Sequence, residues 1–151
     1  MLALIVLCFD QGSKYIALNT LVLYEPEVLL PFFNLTLARN TGAAFSFLAE
    51  TGDWHHVFFL VFGSMMSVGI FIGLMVLKKE AWVEKIALSL ILGGAVGNLV
   101  DRIRLGYVVD FLDLHLGAHH WPIFNIADSA ISLGIVFLCI EILFLRNEKR
   151  S

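Results

Sequence analysis

Four apolar stretches, each near the length of a membrane-crossing helix, dominate this chain of 151 residues. They lie at about 2–18, 57–77, 86–100 and 126–145. A helix needs about 20 apolar residues to cross a hydrocarbon core of about 30 Å. The chain is 59% hydrophobic and 15% charged, whereas soluble domains are about 45–50% apolar and 25% charged. The sequence therefore predicts an all-α membrane protein with four transmembrane helices, forming a single polytopic domain over residues 1–151.

The distribution of basic residues predicts the orientation. The short loop at 78–85 carries three lysines, and the tail at 146–151 carries three basic residues. Short positively charged segments face the cytoplasm, so four helices place both termini there. The segments at about 19–56 and 103–125 are then expected on the extracytoplasmic side. The formal net charge of −3 does not indicate a nucleic-acid partner.

The two outer segments contain local structural signals. Residues 33–37 alternate apolar and polar side chains, and residues 107–112 are β-branched and aromatic, so each predicts a short strand. The turn at 39–42 ends in Gly42, which can adopt positive φ. The apolar residues that follow fit a segment on the membrane surface, with the indole at headgroup level: Phe45, Phe47, Leu48 and Trp54.

Small residues at four-residue spacing predict close helix contacts, at the pairs 63/67, 69/73 and 93/97. In the first helix, Asp10 and Lys14 share a face and are expected to form an ion pair. The run before Asp10 is too short to span a bilayer. Either the helix continues to Leu18, or a few leading residues are missing; the sequence does not distinguish these.

Polar residues gather where the third helix ends, in the following loop and where the fourth helix begins: Asn98, Asp101, Arg102, Asp110, Asn125 and Asp128. The topology brings all six to the outer edge of the membrane. An acid near mid-bilayer costs about 2.5–3.5 kcal/mol, so such a cluster indicates function. Two adjacent carboxylates share a proton, and the pair can activate water and polarise a carbonyl group. Asp110 and Asp128 are therefore the candidate catalytic pair.

Structural interpretations remain open beside this one. Asp128 also fits a first-turn acid favoured by the helix dipole, and Asp110 fits a strand-edge acid facing water. Asp101 and Arg102 are expected to pair with each other or with loop backbone, and Asn125 to cap the fourth helix. Two other acids look unremarkable: Asp113 as a solvated loop residue, and Glu141 as a residue reaching the cytoplasmic interface.

Other functions were weighed against hydrolysis by the carboxylate pair. Three imidazoles lie beside the outer-loop acids and are suitable metal ligands: His115, His119 and His120. Gly117 and Pro122 argue against the helix that a His115/His119 site would need, so no metal is expected. A proton or ion conduit would need acids across the bilayer, and here they cluster at one edge. A small structural subunit would tolerate Asp110→Asn.

Five motifs in order resemble the lipoprotein signal peptidases (signal peptidase II), which are bacterial intramembrane aspartyl proteases. They are Asp10-Gln-x-x-Lys14, Arg39-Asn-x-Gly-Ala-Ala-Phe45, Gly93-Gly-Ala-x-Gly-Asn98-x-x-Asp-Arg102, Gly106-x-Val-x-Asp-Phe111 and Phe124-Asn-x-Ala-Asp128. The resemblance covers the chain from Asp10 to about Ile131. It implies a small extracytoplasmic β-cradle, formed by pieces at 32–48 and 107–112, and a lid-like segment.

The resemblance also implies roles for individual residues. The family's catalytic aspartates fall on Asp110 and Asp128. The residues expected to line the substrate groove or hold the pair are Asn40, Asn98, Arg102 and Asn125. Structural support is expected from Asp10, Lys14, Gly42 and Asp101. The implied substrate is a prolipoprotein in the bacterial inner membrane, cut before its diacylglyceryl-modified cysteine, with membrane lipid as the other partner and neither cofactor nor obligate protein partner.

Overall fold

The computed structural model describes residues 1–42 and 54–145. Its elements, in chain order, are α1 (Leu2–Thr20), β1 (Pro26–Leu30), β2 (Phe33–Asn40), α2 (Trp54–Val76), α3 (Trp82–Leu105), β3 (Val108–Leu116), β4 (His119–His120) and α4 (Ile126–Ile140), which continues as a π-helical turn over Glu141–Leu145. The predicted surface residues Phe45, Phe47 and Leu48, the side chain of Trp54 and the basic tail lie outside the described part of the chain.

Within residues 1–42 and 54–145, three helices are long and apolar enough to cross a membrane: His56–Val76, Trp82–Leu105 and Ile126–Leu143. The first helix has 19 residues and is not among them, because the polar face of α1 lowers its mean hydropathy. Asp10 and Lys14 on that face are buried inside the helix bundle. A fourth membrane span therefore stays a prediction for α1.

The third helix is longer at both ends than the predicted 86–100. The charged residues after Ala81 form its first turn, where the Lys85 amide donates to the Ala81 carbonyl oxygen. The helix ends at Leu105 because Gly106 adopts the left-handed conformation, with φ of 82°, which is a common helix terminator. The outer segment thus begins at Gly106 instead of residue 103.

The third helix is also the centre of the bundle, because α1, α2 and α4 all pack against it. Gly93 and Gly97 face α1 closely. A Cβ added at Gly93 would lie 2.7 Å from the Ala3 carbonyl oxygen, and one at Gly97 would lie 2.5 Å from Asp10 Oδ2. The close contact predicted from the 93/97 spacing is therefore present.

The glycines of α2 differ from this expectation. A Cβ at Gly69 would meet nothing within 4 Å, and one at Gly73 would make ordinary contact, 3.7 Å from Leu88 Cδ1. Ser67 donates its hydroxyl to the Gly63 carbonyl of its own helix. The four-residue spacing of small residues therefore did not predict a close helix contact in α2, because α2 packs on α3 through longer side chains.

A substitution in α4 tests this packing. Gly134→Ala would bring a Cβ within 2.7 Å of the Ala87 carbonyl oxygen in α3, and two backbones cannot yield as a flexible side chain can. We expect a loss of about 1–3 kcal/mol, seen as a lower thermal unfolding midpoint in detergent. Gly69→Ala is the matched control and should leave the midpoint unchanged or raise it. Equal shifts in the two variants would contradict this account.

A four-stranded antiparallel sheet in the order β1-β2-β3-β4 covers one end of the bundle. The predicted strands at 33–37 and 107–112 lie within the longer β2 and β3, whereas β1 and β4 were not predicted. The sheet packs on the last turns of α1 through a buried cluster: Ala17, Leu21, Leu37, Val109 and Phe111. The β2–β3 register pairs Ala38 with Asp110, and this brings the end of β2 beside the candidate site.

Candidate active site

Asp110 projects from β3 into a buried polar site, with 2% of its surface exposed. Its two carboxylate oxygens each accept a hydrogen bond from an amide side chain. Asn40 Nδ2, at the end of β2, donates to Oδ2 at 2.9 Å. Asn125 Nδ2, at the start of α4, donates to Oδ1 at 2.6 Å. The alternative interpretation of Asp110 as a strand-edge acid facing water is therefore wrong.

Asp128 lies in the first turn of α4, where Asn125 is the N-cap residue as predicted. The two form a capping box: Asn125 Oδ1 accepts from the Asp128 amide at 2.9 Å, and Asp128 Oδ2 accepts from the Asn125 amide at 3.3 Å. Asp128 Oδ1 also accepts from Asn98 Nδ2 of α3 at 2.8 Å. The N-terminus of α4 favours a carboxylate at this position. Capping uses one carboxylate oxygen of Asp128, and the other accepts the hydrogen bond from Asn98.

The orientation of each site amide is determined by a neighbour that can only donate. The Gly42 amide donates to Asn40 Oδ1 at 2.9 Å, and the Asp128 amide donates to Asn125 Oδ1. Lys14 Nζ donates to Asn98 Oδ1 at 2.9 Å. Each amide nitrogen is thereby directed at a carboxylate: two at Asp110 and one at Asp128.

Burial raises the pKa of Asp110 to about 6. Hydrogen bonds from Asn40 and Asn125 oppose this increase, while the negative charge of Asp128 adds to it. The two aspartates therefore interact electrostatically, and Asn125 links them. Its side-chain Nδ2 donates to the Asp110 carboxylate, and its backbone amide donates to the Asp128 carboxylate. Near neutral pH this arrangement can hold a protonated and an ionised carboxyl group side by side, which is the combination needed for general acid–base chemistry.

Arg102 flanks the site from α3. Its guanidinium lies 5.0 Å from the centre of the Phe59 ring of α2, a cation–π contact, and it is within electrostatic reach of Asp110 and Asp128. Gly42, with φ of 88°, lies against the same ring, where an added Cβ would overlap Phe59. The Phe59 ring thus links Gly42 to Arg102 at one side of the site.

Asp101 and Arg102 were expected to pair with each other or with loop backbone; Asp101 bonds to backbone after the third helix, and no ion pair with Arg102 is formed between these described residues. Asp101 is directed toward α1, where its Oδ2 lies 2.8 Å from Lys14 Nζ and accepts the Val109 amide at 3.1 Å. The predicted Asp10–Lys14 pair is confirmed, with Oδ2 and Nζ 2.9 Å apart. Lys14 therefore pairs with both Asp10 and Asp101. The sequence could not show the second pair, because Asp101 is far from Lys14 along the chain.

Gln11 was not singled out from the sequence. Its Nε2 lies 2.9 Å from Asp101 Oδ1 and 3.1 Å from both Asp10 Oδ2 and the Gly97 carbonyl. Asp10 Oδ1 in turn accepts the Ala127 amide at the start of α4, at 2.9 Å. The available signal was the position of Gln11 inside the motif Asp10-Gln-x-x-Lys14.

Asp113 was expected to be solvated and Glu141 to reach the cytoplasmic interface, but both are buried. Asp113 accepts from Thr36 at 2.9 Å and lies 2.7 Å from His120 Nδ1. Burial alone would raise the pKa of Asp113, but hydrogen bonds from its polar neighbours outweigh burial and hold it below the usual value. Glu141 is buried within the π-helical turn. Tertiary packing explains both errors, because neither loop polarity nor distance from a helix end measures burial.

The outer histidines were weighed as metal ligands. His115 and His120 face each other across the β3–β4 pair, with ring centres 4.9 Å apart in a stacked arrangement. Over residues 1–42 and 54–145, no group of three or more histidine, cysteine, aspartate or glutamate side chains is arranged to hold a metal ion.

The class of protein is defined first: a multi-pass membrane enzyme. Its features are helices of membrane-spanning length, a sheet over one end of the bundle, and the buried Asp110 linked through Asn125 to the half-buried Asp128. Two solved structures described as bacterial membrane enzymes, both determined by the in meso method, share this fold. One has a TM-score of 0.85 and 33% identity, covering 95% of this chain and 90% of its own. The other has a TM-score of 0.82 and 32% identity, covering 99% and 88%.

A family model described as Signal peptidase (SPase) II matches residues 2–144, and the chain belongs to this family of aspartic endopeptidases. Similar curated proteins carry a matching name. The lipoprotein signal peptidase of Acinetobacter baylyi is 45% identical over 148 residues, covering 98% of this chain and 83% of the relative. That of Teredinibacter turnerae is 47% identical over 142 residues, covering 94% and 84%.

Proposed function

We propose that the protein removes signal peptides from diacylglyceryl-modified prolipoproteins by cutting before the lipidated cysteine. The observation that carries the proposal is the placement of two carboxylates around Asn125. The buried Asp110 accepts from the side-chain Nδ2 of Asn125, and the half-buried Asp128, in the first turn of α4, accepts from its backbone amide. Family membership supports the choice of substrate, since curated relatives are named lipoprotein signal peptidases.

In the proposed reaction, Asp110 begins protonated and Asp128 ionised. Asp128 takes a proton from water as the water oxygen attacks the scissile carbonyl carbon, and Asp110 gives its proton to the carbonyl oxygen. The tetrahedral intermediate then collapses. The amide nitrogen leaves with the proton held by Asp128, and Asp110 recovers a proton from the intermediate's hydroxyl group. The C–N bond breaks, the C–O bond formed from water is kept, and the carbonyl double bond re-forms, so the products are a carboxylic acid and an amine. The pair returns to its starting state.

The burial of Asp110 supports the assignment of the shared proton to it, because burial favours the neutral acid. The environment of Asp128 supports the ionised form, because a helix N-terminus and an amide donor both stabilise negative charge. For substrate binding we assign Asn40, Asn98, Arg102 and Asn125, with Arg102 positioned to meet the peptide backbone. Asp10, Lys14, Gly42 and Asp101 support the site.

The membrane arrangement is part of the proposal. We infer four spans in the bacterial inner membrane, with α1 as the fourth, both termini in the cytoplasm and the site near the extracytoplasmic face. A cysteine anchored by two acyl chains has its peptide bond near the lipid headgroups. Anchoring of this kind raises the local concentration of the bond and orients it toward the carboxylates, which contributes to the rate.

The test uses purified protein in phospholipid vesicles with a diacylglyceryl-modified prolipoprotein. We expect one cut, leaving the lipidated cysteine as the new N-terminal residue by mass spectrometry, and no cut in the same precursor lacking the lipid. Activity should persist with a chelator present. No cleavage, or equal cleavage of both precursors, would refute the proposal. Loss of activity with chelator would favour a metal site at the outer histidines.

The pH profile tests the assignment of the proton. If Asp110 must be protonated, kcat/KM should fall as pH rises through the pKa of about 6, read as a macroscopic property of the pair. Asn40 donates to the Asp110 carboxylate and lowers its pKa. Asn40→Ala should therefore move the alkaline limb to higher pH. A shift to lower pH, or no shift, would contradict the assignment even if KM also changes.

A further inference from the structure

Lys14 is buried in the middle of the bundle and uses all three of its N–H donors. Its side chain is 3% exposed, and Nζ lies 2.9 Å from Asp10 Oδ2 and 2.8 Å from Asp101 Oδ2. The first ion pair lies within α1, and the second joins α1 to α3. The third donor goes to Asn98 Oδ1 at 2.9 Å, and this bond is not needed to neutralise either acid.

The third bond leads to the catalytic pair. Because Lys14 cannot accept a hydrogen bond, it holds the oxygen of the Asn98 amide on its own side. The Nδ2 of the same amide then donates to Asp128 Oδ1 at 2.8 Å. A flipped amide would direct an oxygen at Asp128 and repel the carboxylate.

Asn125 supplies a second, weaker constraint on this amide. Its Nδ2 lies 3.2 Å from Asn98 Oδ1, 2.6 Å from Asp110 Oδ1 and 3.3 Å from the Val109 carbonyl oxygen. Two hydrogens shared among three acceptors hold each acceptor less firmly than a charged donor does. The shorter, charge-assisted bond to Asn98 comes from Lys14.

We propose that Lys14 is a positioning residue for peptide hydrolysis, orienting the Asn98 amide so that its N–H donates to Asp128. The inference rests on the proposed function and extends it to a residue with no access to substrate. Asp10 on α1 and Asp101 on α3 pair with this cation, and Asp110 on β3 feels its charge. Asp128 on α4 is joined to it through Asn98, and Arg102 on α3 lies within electrostatic reach of Asp101, Asp110 and Asp128.

The kinetic test compares Lys14→Met and Lys14→Arg with the wild-type protein in the vesicle assay. Lys14→Met should lower kcat by about 10–100-fold, the range for losing an outer partner that orients a metal ligand, with KM unchanged. Because the Lys14 charge lowers the pKa of Asp110, the alkaline limb should also move to higher pH. Lys14→Arg keeps the charge, so its kcat and the position of its alkaline limb should both lie between those of Lys14→Met and the wild type. An unchanged kcat in Lys14→Met would overturn the proposal.

A double-mutant cycle separates positioning from general loss of structure. If Lys14 acts through Asn98, Lys14→Met should lower kcat by much less in an Asn98→Ala background than in the wild type. The same fold loss in both backgrounds would overturn the proposal. Gly134→Ala is the control for loss of stability, because it disturbs the α3–α4 contact away from the site. Its alkaline limb should lie at the same pH as that of the wild type, since loss of packing alone does not change the pKa of Asp110.

If Lys14→Met does not fold, Lys14→Met combined with Asp10→Asn replaces it. The new amide can donate to Asp101 in place of the lysine while the bond to Asn98 stays missing. A reduced kcat with a moved alkaline limb in this variant supports the proposal, and wild-type values refute it. Failure of the wild-type protein to cut the lipidated precursor would instead refute the proposed function, independently of any Lys14 variant.

Discussion

Asparagine in place of Asp110 should lower turnover of the lipidated precursor by about 10²–10⁴-fold, the range that general acid–base catalysis contributes. The substitution keeps the size of the side chain and removes its acid. Because β3 and both amide partners remain, KM should change much less than kcat. The measurement is single-turnover cleavage by purified protein in vesicles, with folding checked by the thermal unfolding midpoint.

Asp113→Asn is the matched control for this variant. Asp113 lies on the same strand, is also 2% exposed, and accepts hydrogen bonds from polar neighbours. It does not contact the amides of the site, so its loss should leave kcat near that of the wild type. Near-normal turnover by Asp110→Asn would end the carboxylate-pair hypothesis. A comparable drop in kcat for both variants would show that the effect is one of stability.

Asp10→Ala should produce the largest loss of stability. Asp10 is fully buried, and its carboxylate holds Lys14 on one oxygen and the Ala127 amide on the other. Removing one partner of a buried ion pair costs about 3–5 kcal/mol, because the remaining charge is left uncompensated. Here Asp101 still pairs with Lys14, so we expect the lower part of that range, measured as the shift in thermal unfolding midpoint in detergent.

Asn19→Ala is the control on the same helix, because Asn19 is exposed and its amide donates to the Tyr15 carbonyl one turn back. Its unfolding midpoint should stay close to that of the wild type. If Asp10→Ala unfolds at the wild-type temperature, the buried cluster contributes little to stability. The role of Lys14 would then have to be judged on kinetics alone.

Local features of the sequence predicted many of the residues of the candidate site. Apolar runs predicted where the helices lie, and the distribution of lysines predicted which loops share a side. These two patterns brought Asp110 and Asp128 to one edge without any knowledge of packing. The capping role of Asn125 and the pairing of Asp10 with Lys14 were equally local, since both depend on neighbours within one helical turn.

Errors occurred where burial or a distant partner decides the outcome. Asp113 was assigned to solvent, yet strand pairing buries it beside Thr36 of β2. Asp101 was expected to bond either to Arg102 or to loop backbone. The backbone bond to Val109 is present, but its ionic partner is Lys14 of another helix. Periodicity describes which residues share a face of one element. It carries no information about which other element covers that face.

The linear order of residues thus indicated the membrane class and the family motifs, and it predicted the two aspartates as the catalytic pair. The folded chain decided how those aspartates are supported. Asn40, Asn98 and Asn125 come from three different elements and meet only in the fold. Lys14 of α1 orients Asn98, whereas nearby backbone amides, of Gly42 and Asp128, orient Asn40 and Asn125. Hydrogen-bond direction and burial depend on atoms brought together by packing, so only the assembled bundle and sheet could determine them.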